Sequence, residues 1–146
     1  MTREEIHELR KTFENVESQS EVAALVFYKR LFEIEPALKP MFRTPIQEQA
    51  HKLIEALALL ISLLEKPAAL RAELEDLGAR HVRYGVQEWH YSIVGQALLE
   101  MLAQVLGDRF TPETRKLWAR LYGIIADNMM RGAMSLSGGR NSVALL

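Results

Sequence analysis

The hydrophobic residues of this chain repeat at the three- and four-residue spacing of an α-helix. Leu70, Leu74 and Leu77 form one such stripe, and the same spacing continues to His81. Residues at this spacing lie on one face of a helix, so an imidazole stands where a core side chain is expected. The stripe therefore predicts a helix that turns a polar group toward the interior of the protein.

Two further stripes carry a polar side chain in the same way. One joins Tyr28 to Leu31 and Phe32. The other begins at Gln49 and continues through four leucines, which are Leu53, Leu57, Leu60 and Leu64. Three polar side chains on three inward faces predict a buried cavity with a ligand bound in it.

Start and stop signals divide the chain into helices. Thr2 and Glu5 have the spacing of a capping box, and prolines are tolerated in a first helical turn. The first predicted helix begins at Thr2, the second runs from Ser18 or Ser20 to about Ile34, and a short third follows Pro36 and ends near Phe42. Longer helices run from Pro45 to about Lys66 and from Pro67 to a break at Gly85. The last two run from about Gln87 to Leu106, before Gly107, and from Pro112 to about Met134. No segment alternates with a period of two, so we predict an all-α domain at residues 1–134. The polar run SLSGGRNS predicts a flexible tail at 135–146.

Composition and charge exclude several classes of protein. A chain of 146 residues with 49% hydrophobic residues predicts one globular domain. The net charge of −1 gives no basic field for nucleic acid or an anionic membrane. The absence of cysteine excludes disulfides, zinc–thiolate sites and thiol catalysis, and fits a cytoplasmic protein. The charged N-terminus does not resemble a signal peptide, and the longest apolar run is shorter than the roughly 20 residues of a membrane helix.

A single buried histidine limits the chemistry of the predicted cavity. A zinc or iron ion bound by the protein alone needs three or four ligands. The chain has no cysteine and no second histidine at ligand spacing from His81. One histidine suffices when a macrocycle supplies the other four ligands, as in haem. Near a helix end, the second ring nitrogen can donate to a carbonyl one turn back and raise the basicity of the first.

Plainer interpretations stay open at this point. A lone histidine on an apolar face is more often a core residue than a ligand, and a buried tyrosine is common in cores. His51 lies about 200° around its helix from Gln49, so we predict that it is solvated and not a ligand. His7 and His90 lie near helix starts and are expected at the surface. A phenol and an amide that face one site would nevertheless supply donors for a small polar ligand such as dioxygen.

Four stretches of sequence together carry a family resemblance. They are FYKRLFEIEPALKPMF from Phe27, QAHKL from Gln49, LGARHVRYGV from Leu77 with HYSIVG from His90, and LWARLYGIIAD from Leu117. With these motifs, residues 3–133 resemble the bacterial single-domain globins of the flavohaemoglobin and Vitreoscilla haemoglobin lineage, with further likeness to neuroglobin. The resemblance implies a globin fold, a three-over-three helical sandwich, that binds haem b (iron protoporphyrin IX).

The resemblance also implies roles for individual residues. His81 matches the proximal iron ligand, and Phe42 matches the phenylalanine that stacks on the haem edge. Tyr28, Gln49 and Leu53 match the distal residues that surround a bound gas. The other implied haem contacts are Lys52 and Arg80 near a propionate, Tyr91 behind the proximal histidine, and Leu77, Tyr84, Val86 and Val94.

The chain departs from the family pattern on the proximal side. In flavohaemoglobins the tyrosine and the histidine join a glutamate near the end of the last helix. By the spacing from Tyr122, this chain has Ala133 there, and no acidic residue follows Asp127. We therefore expect less imidazolate character at His81 and a weaker peroxidase-like electron push. The length of the chain leaves no room for the reductase half of a flavohaemoglobin, so we expect any reductase to be a separate protein.

These implied residues predict a protein that reversibly binds dioxygen, and also NO and CO, at a five-coordinate or weakly six-coordinate haem iron. Hydrogen bonds from Tyr28 and Gln49 predict slow oxygen release and high affinity. We expect oxygen storage or transport and assign no catalytic residue. We also expect a cytoplasmic monomer or weak homodimer that binds neither nucleic acid nor membrane.

Three other functions compete with this prediction. The protein could be a nitric oxide dioxygenase that detoxifies NO with a separate reductase. It could be a signalling module, although a globin sensor normally has an attached output domain. Lastly, it could be a helical domain without a cofactor, in which case added haem would not stabilise it.

Overall fold

Helices account for nearly all of the described chain. The structure, a computed structural model, describes residues 1–135, and in this range it has no strand. Its α-helices are α1 (Arg3–Glu17), α2 (Ser20–Ile34), α3 (Ile46–Ser62), α4 (Pro67–Arg83), α5 (His90–Leu106) and α6 (Pro112–Ser135), and two 3₁₀ helices span Pro36–Met41 and Gly107–Arg109. The all-α prediction is confirmed. Apart from Ser135, which ends α6, the predicted tail lies outside the described residues.

Several helix ends follow directly from local sequence signals. The Thr2 hydroxyl accepts a hydrogen bond from the Glu5 N–H at 3.1 Å, and the Glu5 carboxylate accepts one from the Thr2 N–H at 2.8 Å, which completes the capping box. Pro67 lies in the first turn of α4. Gly107 ends α5 with a φ of 56°, and Gly85 follows α4 with a φ of 91°. Both angles lie in the region that glycine enters without steric cost.

Two other helix ends differ from the prediction. Gln19 precedes α2 and makes no side-chain capping bond, so neither Ser18 nor Ser20 caps this helix. The Ser18 hydroxyl instead donates to a carbonyl of α1. Helix α3 ends at Ser62, earlier than the predicted Lys66, because residues 63–66 form a series of tight turns.

The start of α5 and the environment of His90 also correct the prediction. Helix α5 begins at His90 and not near Gln87, because these two residues close a turn with each other. The His90 N–H donates to the Gln87 carbonyl at 3.0 Å, and the Gln87 N–H donates to His90 Nδ1 at 2.9 Å. The His90 ring lies 4.0 Å from the Trp89 ring, centroid to centroid. His90 is therefore buried, and the expectation of a surface position was wrong.

The core lies between α1, α2, α5 and α6, and one buried polar contact crosses it. Trp118 is 1% exposed, and its indole N–H donates to the Thr12 hydroxyl at 2.9 Å. Thr12 in turn donates to the Glu8 carbonyl at 2.8 Å. Because an unpartnered indole N–H in a core is costly, this contact aligns α6 on α1.

Helix α4 packs on α6 through two glycines at unusually close range. A Cβ atom added to Gly78 would lie 1.9 Å from the Met129 carbonyl oxygen, and one added to Gly132 would lie 2.0 Å from the Glu75 carbonyl oxygen. The two helix backbones therefore touch where any larger residue would push them apart. This contact sets the position of α4, which carries His81 three residues after Gly78.

Candidate functional site

The fold holds α3 and α4 apart, with half-buried apolar side chains between them and their neighbours. Helix α4 packs mainly on α6, and α3 packs mainly on α2, whereas α3 and α4 make little direct contact. The predicted cofactor residues Phe42, Leu53, Leu77, Val86 and Val94 are all partly buried against the core, and none is fully enclosed. An arrangement of this kind can cover the faces of a flat apolar ligand.

His81 lies in the last turn of α4 with one ring nitrogen engaged. Its Nδ1 lies 2.7 Å from the Leu77 carbonyl oxygen, so Nδ1–H is the donor and Nε2 is the nitrogen available to a metal. Burial lowers the pKa of His81, the Leu77 hydrogen bond opposes this, and the charge of Arg80 lowers it further. The ring is therefore held neutral, in the tautomer that a metal ligand needs.

Tyr28 of α2 and Gln49 of α3 form a buried polar pair. Tyr28 is 4% exposed and Gln49 is 3% exposed. The Tyr28 hydroxyl donates to the Gln49 main-chain carbonyl at 3.4 Å, and the Thr44 hydroxyl donates to Gln49 Oε1 at 2.8 Å. Burial raises the pKa of Tyr28 to about 12, and a hydrogen bond from the Gln49 side chain opposes that shift. Tyr28 is thus a neutral phenol across the physiological range.

An aromatic cluster surrounds the Tyr28 ring. Its centroid lies 5.0 Å from that of Phe27, 6.0 Å from that of Phe32 and 5.4 Å from that of Phe42. Phe42 and Phe32 also meet edge to face at 5.5 Å. Edge-to-face packing fixes ring orientation, so Phe42, predicted to contact the haem edge, is held against Tyr28.

Two buried donors lie close to His81 without partners in the protein. Within residues 1–135, Arg80 Nε and the Tyr84 hydroxyl are buried and have no hydrogen-bond partner, although Arg80 Nη1 pairs with Asp76 at 2.9 Å. The Tyr84 ring lies 6.0 Å from the His81 ring. Buried donors of this kind suit an anionic group such as a propionate. Lys52, predicted for the same role, is exposed at the surface of α3.

Two tyrosines, which are Tyr91 of α5 and Tyr122 of α6, join these two helices. The Tyr122 hydroxyl of α6 donates to the Tyr91 carbonyl of α5 at 2.6 Å. A Cβ atom added to Gly95 would lie 2.6 Å from the Tyr122 ring, so that ring lies directly on the α5 backbone. Tyr91 is buried, and Ala133 is half-buried in the last turns of α6.

The remaining candidates lie away from this site. His51 and His7 are exposed, as predicted, and His51 pairs with Glu55 at 2.5 Å. Residues 1–135 contain no group of three or more histidine, cysteine or carboxylate side chains that could hold a metal ion. Two surface pockets, of about 440 and 300 Å³, lie beside α1 and along α2, and neither is lined by His81. None of the helices in this range is long and apolar enough to cross a membrane.

Sequence reasoning did not find Thr44 or the paired glycines Gly78 and Gly132. Thr44 precedes Pro45 outside any hydrophobic stripe, and its contact with Gln49 depends on side-chain geometry. The glycine pair joins residues more than fifty positions apart. The only signal for this contact in the sequence is Gly78, which stands three residues before His81 in LGARH. That signal does not identify the partner helix.

Comparisons with known proteins place these features in a family. The globin family model matches residues 25–129. A flavohemoprotein of Rhizobium meliloti (strain 1021) is 39% identical over 104 residues, which are 69% of this chain and 26% of that protein. A flavohemoprotein of Vibrio cholerae is 32% identical over 129 residues, which are 86% of this chain and 33% of that protein. The chain thus spans about a quarter to a third of the length of these curated relatives.

Solved structures are similar over nearly the whole chain. A bacterial globin from Campylobacter jejuni has a TM-score of 0.82 at 28% identity and covers 94% of this chain and 100% of its own. An engineered carbene transferase from Rhodothermus marinus, built on a provisionally assigned nitric oxide dioxygenase, has a TM-score of 0.83 at 24% identity. The match covers 94% of this chain and 96% of that protein. A hexacoordinated heme protein from a tardigrade has a TM-score of 0.83 at 19% identity, and the match covers 92% of this chain and 96% of that protein. The predicted fold is therefore confirmed, and the chain belongs to the globin family, whose fold binds haem.

Proposed function

We propose that this globin binds haem b between α3 and α4, with His81 as the proximal ligand, and reversibly binds dioxygen and other diatomic gases on the opposite face. The observation that carries the proposal is that one fold combines a neutral His81 imidazole, held by the Leu77 carbonyl, with a buried polar pair, Tyr28 and Gln49. Haem, when bound, supplies the iron to which the gas binds.

The residues around His81 fit a haem. The Leu77 hydrogen bond orients the imidazole and leaves Nε2 with its lone pair. Partly buried apolar side chains, among them Leu53, Val86 and Val94, can cover the macrocycle. Arg80 Nε and the Tyr84 hydroxyl are donors without a protein partner that can meet a propionate. Lys52 is exposed and can reach a propionate only at the rim of the site.

On the distal side, Tyr28 and Gln49 can slow the release of dioxygen. A bound gas that carries partial negative charge would be stabilised by a donor fixed in a water-poor pocket. The raised pKa of Tyr28 keeps its hydroxyl proton available for donation. The phenylalanines packed around Tyr28 would keep water from a bound gas and so protect a bound haem from oxidation. High affinity through slow release would follow from the hydrogen bonds.

The proximal side favours gas binding over peroxidase-like chemistry. The acceptor of the His81 Nδ1–H bond is a neutral carbonyl. A carboxylate acceptor would give the ring more imidazolate character and a stronger electron push. Ala133 occupies the position of the flavohaemoglobin glutamate that the family resemblance implies. We therefore favour storage or transport of oxygen, in the cytoplasm as the sequence predicts.

A second candidate function is nitric oxide dioxygenation. The curated relatives named flavohemoprotein support this alternative, although this chain spans only their globin-like part. NO and dioxygen would combine to nitrate, and the electron lost from the iron in each cycle would return from a separate reductase. Sustained NO consumption with a reductase and NADH would favour this function, and a single turnover would favour storage.

Absorption spectra of the purified protein test the proposal first. We expect an intense haem band that shifts on reduction and again on exposure to oxygen, with a long-lived oxygenated form. Tyr28→Phe should raise the oxygen off-rate by about 10- to 100-fold, since one hydrogen bond to a charged acceptor is worth about 1.5–3 kcal/mol. Tyr122→Phe, which also removes a hydrogen-bonded tyrosine hydroxyl, is the matched control and should leave the off-rate unchanged. A protein without a haem band after addition of haemin would refute the proposal.

A further inference from the structure

Thr44 makes a contact on the distal side that depends on the local path of the chain. It lies between the first 3₁₀ helix and α3, one residue before Pro45. The Gln49 N–H donates to the Pro45 carbonyl at 3.0 Å, which places Gln49 in the first turn of α3. Across that turn the Thr44 hydroxyl donates to Gln49 Oε1 at 2.8 Å. Gln49 is 3% exposed, so little water can compete for this hydrogen bond.

This contact decides which end of the Gln49 amide is free. A primary amide has an acceptor oxygen and a donor NH2 group of nearly equal size, and a rotation of 180° exchanges them. Because Thr44 holds the oxygen, the NH2 group is the end left for the pocket. The hydrogen bond from the Gln49 side chain that opposes the upward pKa shift of Tyr28 agrees with an NH2 group beside the phenol oxygen.

The orientation of the amide also affects the Tyr28 proton. The Tyr28 hydroxyl donates to the Gln49 main-chain carbonyl over 3.4 Å, which is near the limit of a hydrogen bond. A side-chain carbonyl turned toward Tyr28 would be a better acceptor and would compete for that proton. With the side-chain oxygen held by Thr44, a ligand with a partly negative end can take the proton of Tyr28 and that of Gln49 together.

We propose that Thr44 is a positioning residue that fixes the Gln49 amide with its NH2 group toward the distal pocket and so favours dioxygen over CO. Dioxygen becomes a good hydrogen-bond acceptor on binding, whereas CO remains a poor one. This inference rests on the proposed function, because it concerns the gas bound at the distal side. It adds a residue outside the pocket that sets selectivity through Gln49.

The test compares Thr44→Val, which keeps the shape but removes the hydroxyl, with Thr44→Ser, which keeps the hydroxyl. In the haem-free protein, NMR should detect contacts of the Gln49 side-chain NH2 with the Tyr28 ring in the wild type and in Thr44→Ser. These contacts should weaken in Thr44→Val. This measurement needs no bound cofactor. Thr44→Ala replaces Thr44→Val if the valine variant does not fold.

In the haem-loaded protein, CO serves as the probe of the same orientation. A donor near CO lowers its C–O stretching frequency, so Thr44→Val should shift part of the band to higher frequency and Thr44→Ser should restore it. The ratio of oxygen affinity to CO affinity should fall about 3- to 10-fold in Thr44→Val, as expected for loss of one net hydrogen bond. In a Gln49→Leu background the Thr44→Val change should have no further effect.

Two outcomes overturn the inference. Unchanged NMR contacts in Thr44→Val would show that Thr44 does not orient the amide. An unchanged C–O band in Thr44→Val, together with a shifted band in Gln49→Leu, would show the same thing while the proposed function stands. If haem is not bound at all, the proposed function fails, and the NMR comparison still decides whether Thr44 orients Gln49.

Discussion

The two sides of the candidate site are held in place by different kinds of contact. On the proposed distal side, Tyr28 and Gln49 are positioned by side-chain hydrogen bonds and by the short segment around Thr44. On the proposed proximal side, α4 is positioned by direct backbone contact with α6 at Gly78 and Gly132. Side-chain hydrogen bonds can rearrange in small steps, whereas two touching backbones cannot. Distal changes should therefore tune the site, and proximal changes should move or disrupt it.

The largest expected effect comes from the glycine contact. Gly78→Ala places a methyl group where the Met129 carbonyl now lies, so α4 must move away from α6. Overpacking of this kind typically costs about 1–3 kcal/mol and can cost more, and we expect at least about 3 kcal/mol here, measured by urea unfolding. Haem affinity should fall as well, because His81 moves with α4.

Gly123→Ala is the matched control for this prediction. An added Cβ at Gly123 meets nothing within 4 Å, and alanine is the better helix former by about 1 kcal/mol. The control should therefore leave stability unchanged or raise it. Equal stability of Gly78→Ala and wild type would show that the two helices separate at little cost. The backbone contact would then be no more rigid than the side-chain hydrogen bonds around Gln49.

The next largest effect is on the pH dependence of stability, and it reports on the burial of Tyr28. The native pKa of Tyr28 is raised to about 12, and in the unfolded chain it is about 10. The unfolded state therefore loses its proton first as the pH rises. The stability due to the neutral phenol is complete below pH 10 and is lost between about pH 10 and pH 12, by about 2–3 kcal/mol.

Urea unfolding at pH 9 and pH 11 measures this loss against a Tyr28→Phe variant. The wild type should lose more stability than the variant over this range, since all other groups titrate alike in the two proteins. Burial raises the pKa of Tyr122 as well, and its contact with Tyr91 adds to the rise. Tyr122→Phe therefore provides the same measurement for the contact between α5 and α6. The same pH dependence in Tyr28→Phe and wild type would contradict the assigned burial of Tyr28.

The smallest expected effect is on the electronic character of the proximal ligand. Ala133→Glu places a carboxylate at the position that flavohaemoglobins use, according to the family resemblance. Since the Leu77 carbonyl already accepts the His81 Nδ1 proton at 2.7 Å, we expect only a slight rise in the iron–histidine stretching frequency. Resonance Raman spectra of the ferrous protein measure it, with Ala133→Gln as the uncharged control. A large rise in the glutamate variant alone would show that the carboxylate displaces Leu77.

Much of the fold was predictable because its signals are local. The Thr2 capping box, Pro67 in a first turn and Gly107 at a helix end each act within a few residues, and the structure has each one as predicted. The helical stripes placed Gln49 and Tyr28 on buried faces by their spacing alone. Where several weak signals competed, as with Ser18 and Ser20, the prediction of the capping residue was wrong.

The sequence by itself determined the helices, their buried faces and, through its motifs, the family of the protein. Only the tertiary structure brought the Gln49 amide under the control of Thr44, buried His90 in a turn with Gln87, and joined Gly78 to the backbone of α6. Helix formation and capping depend on residues three or four positions apart, and their pattern is visible in the chain. Side-chain orientation and helix contact depend on which surfaces meet after folding, and no local pattern encodes that choice.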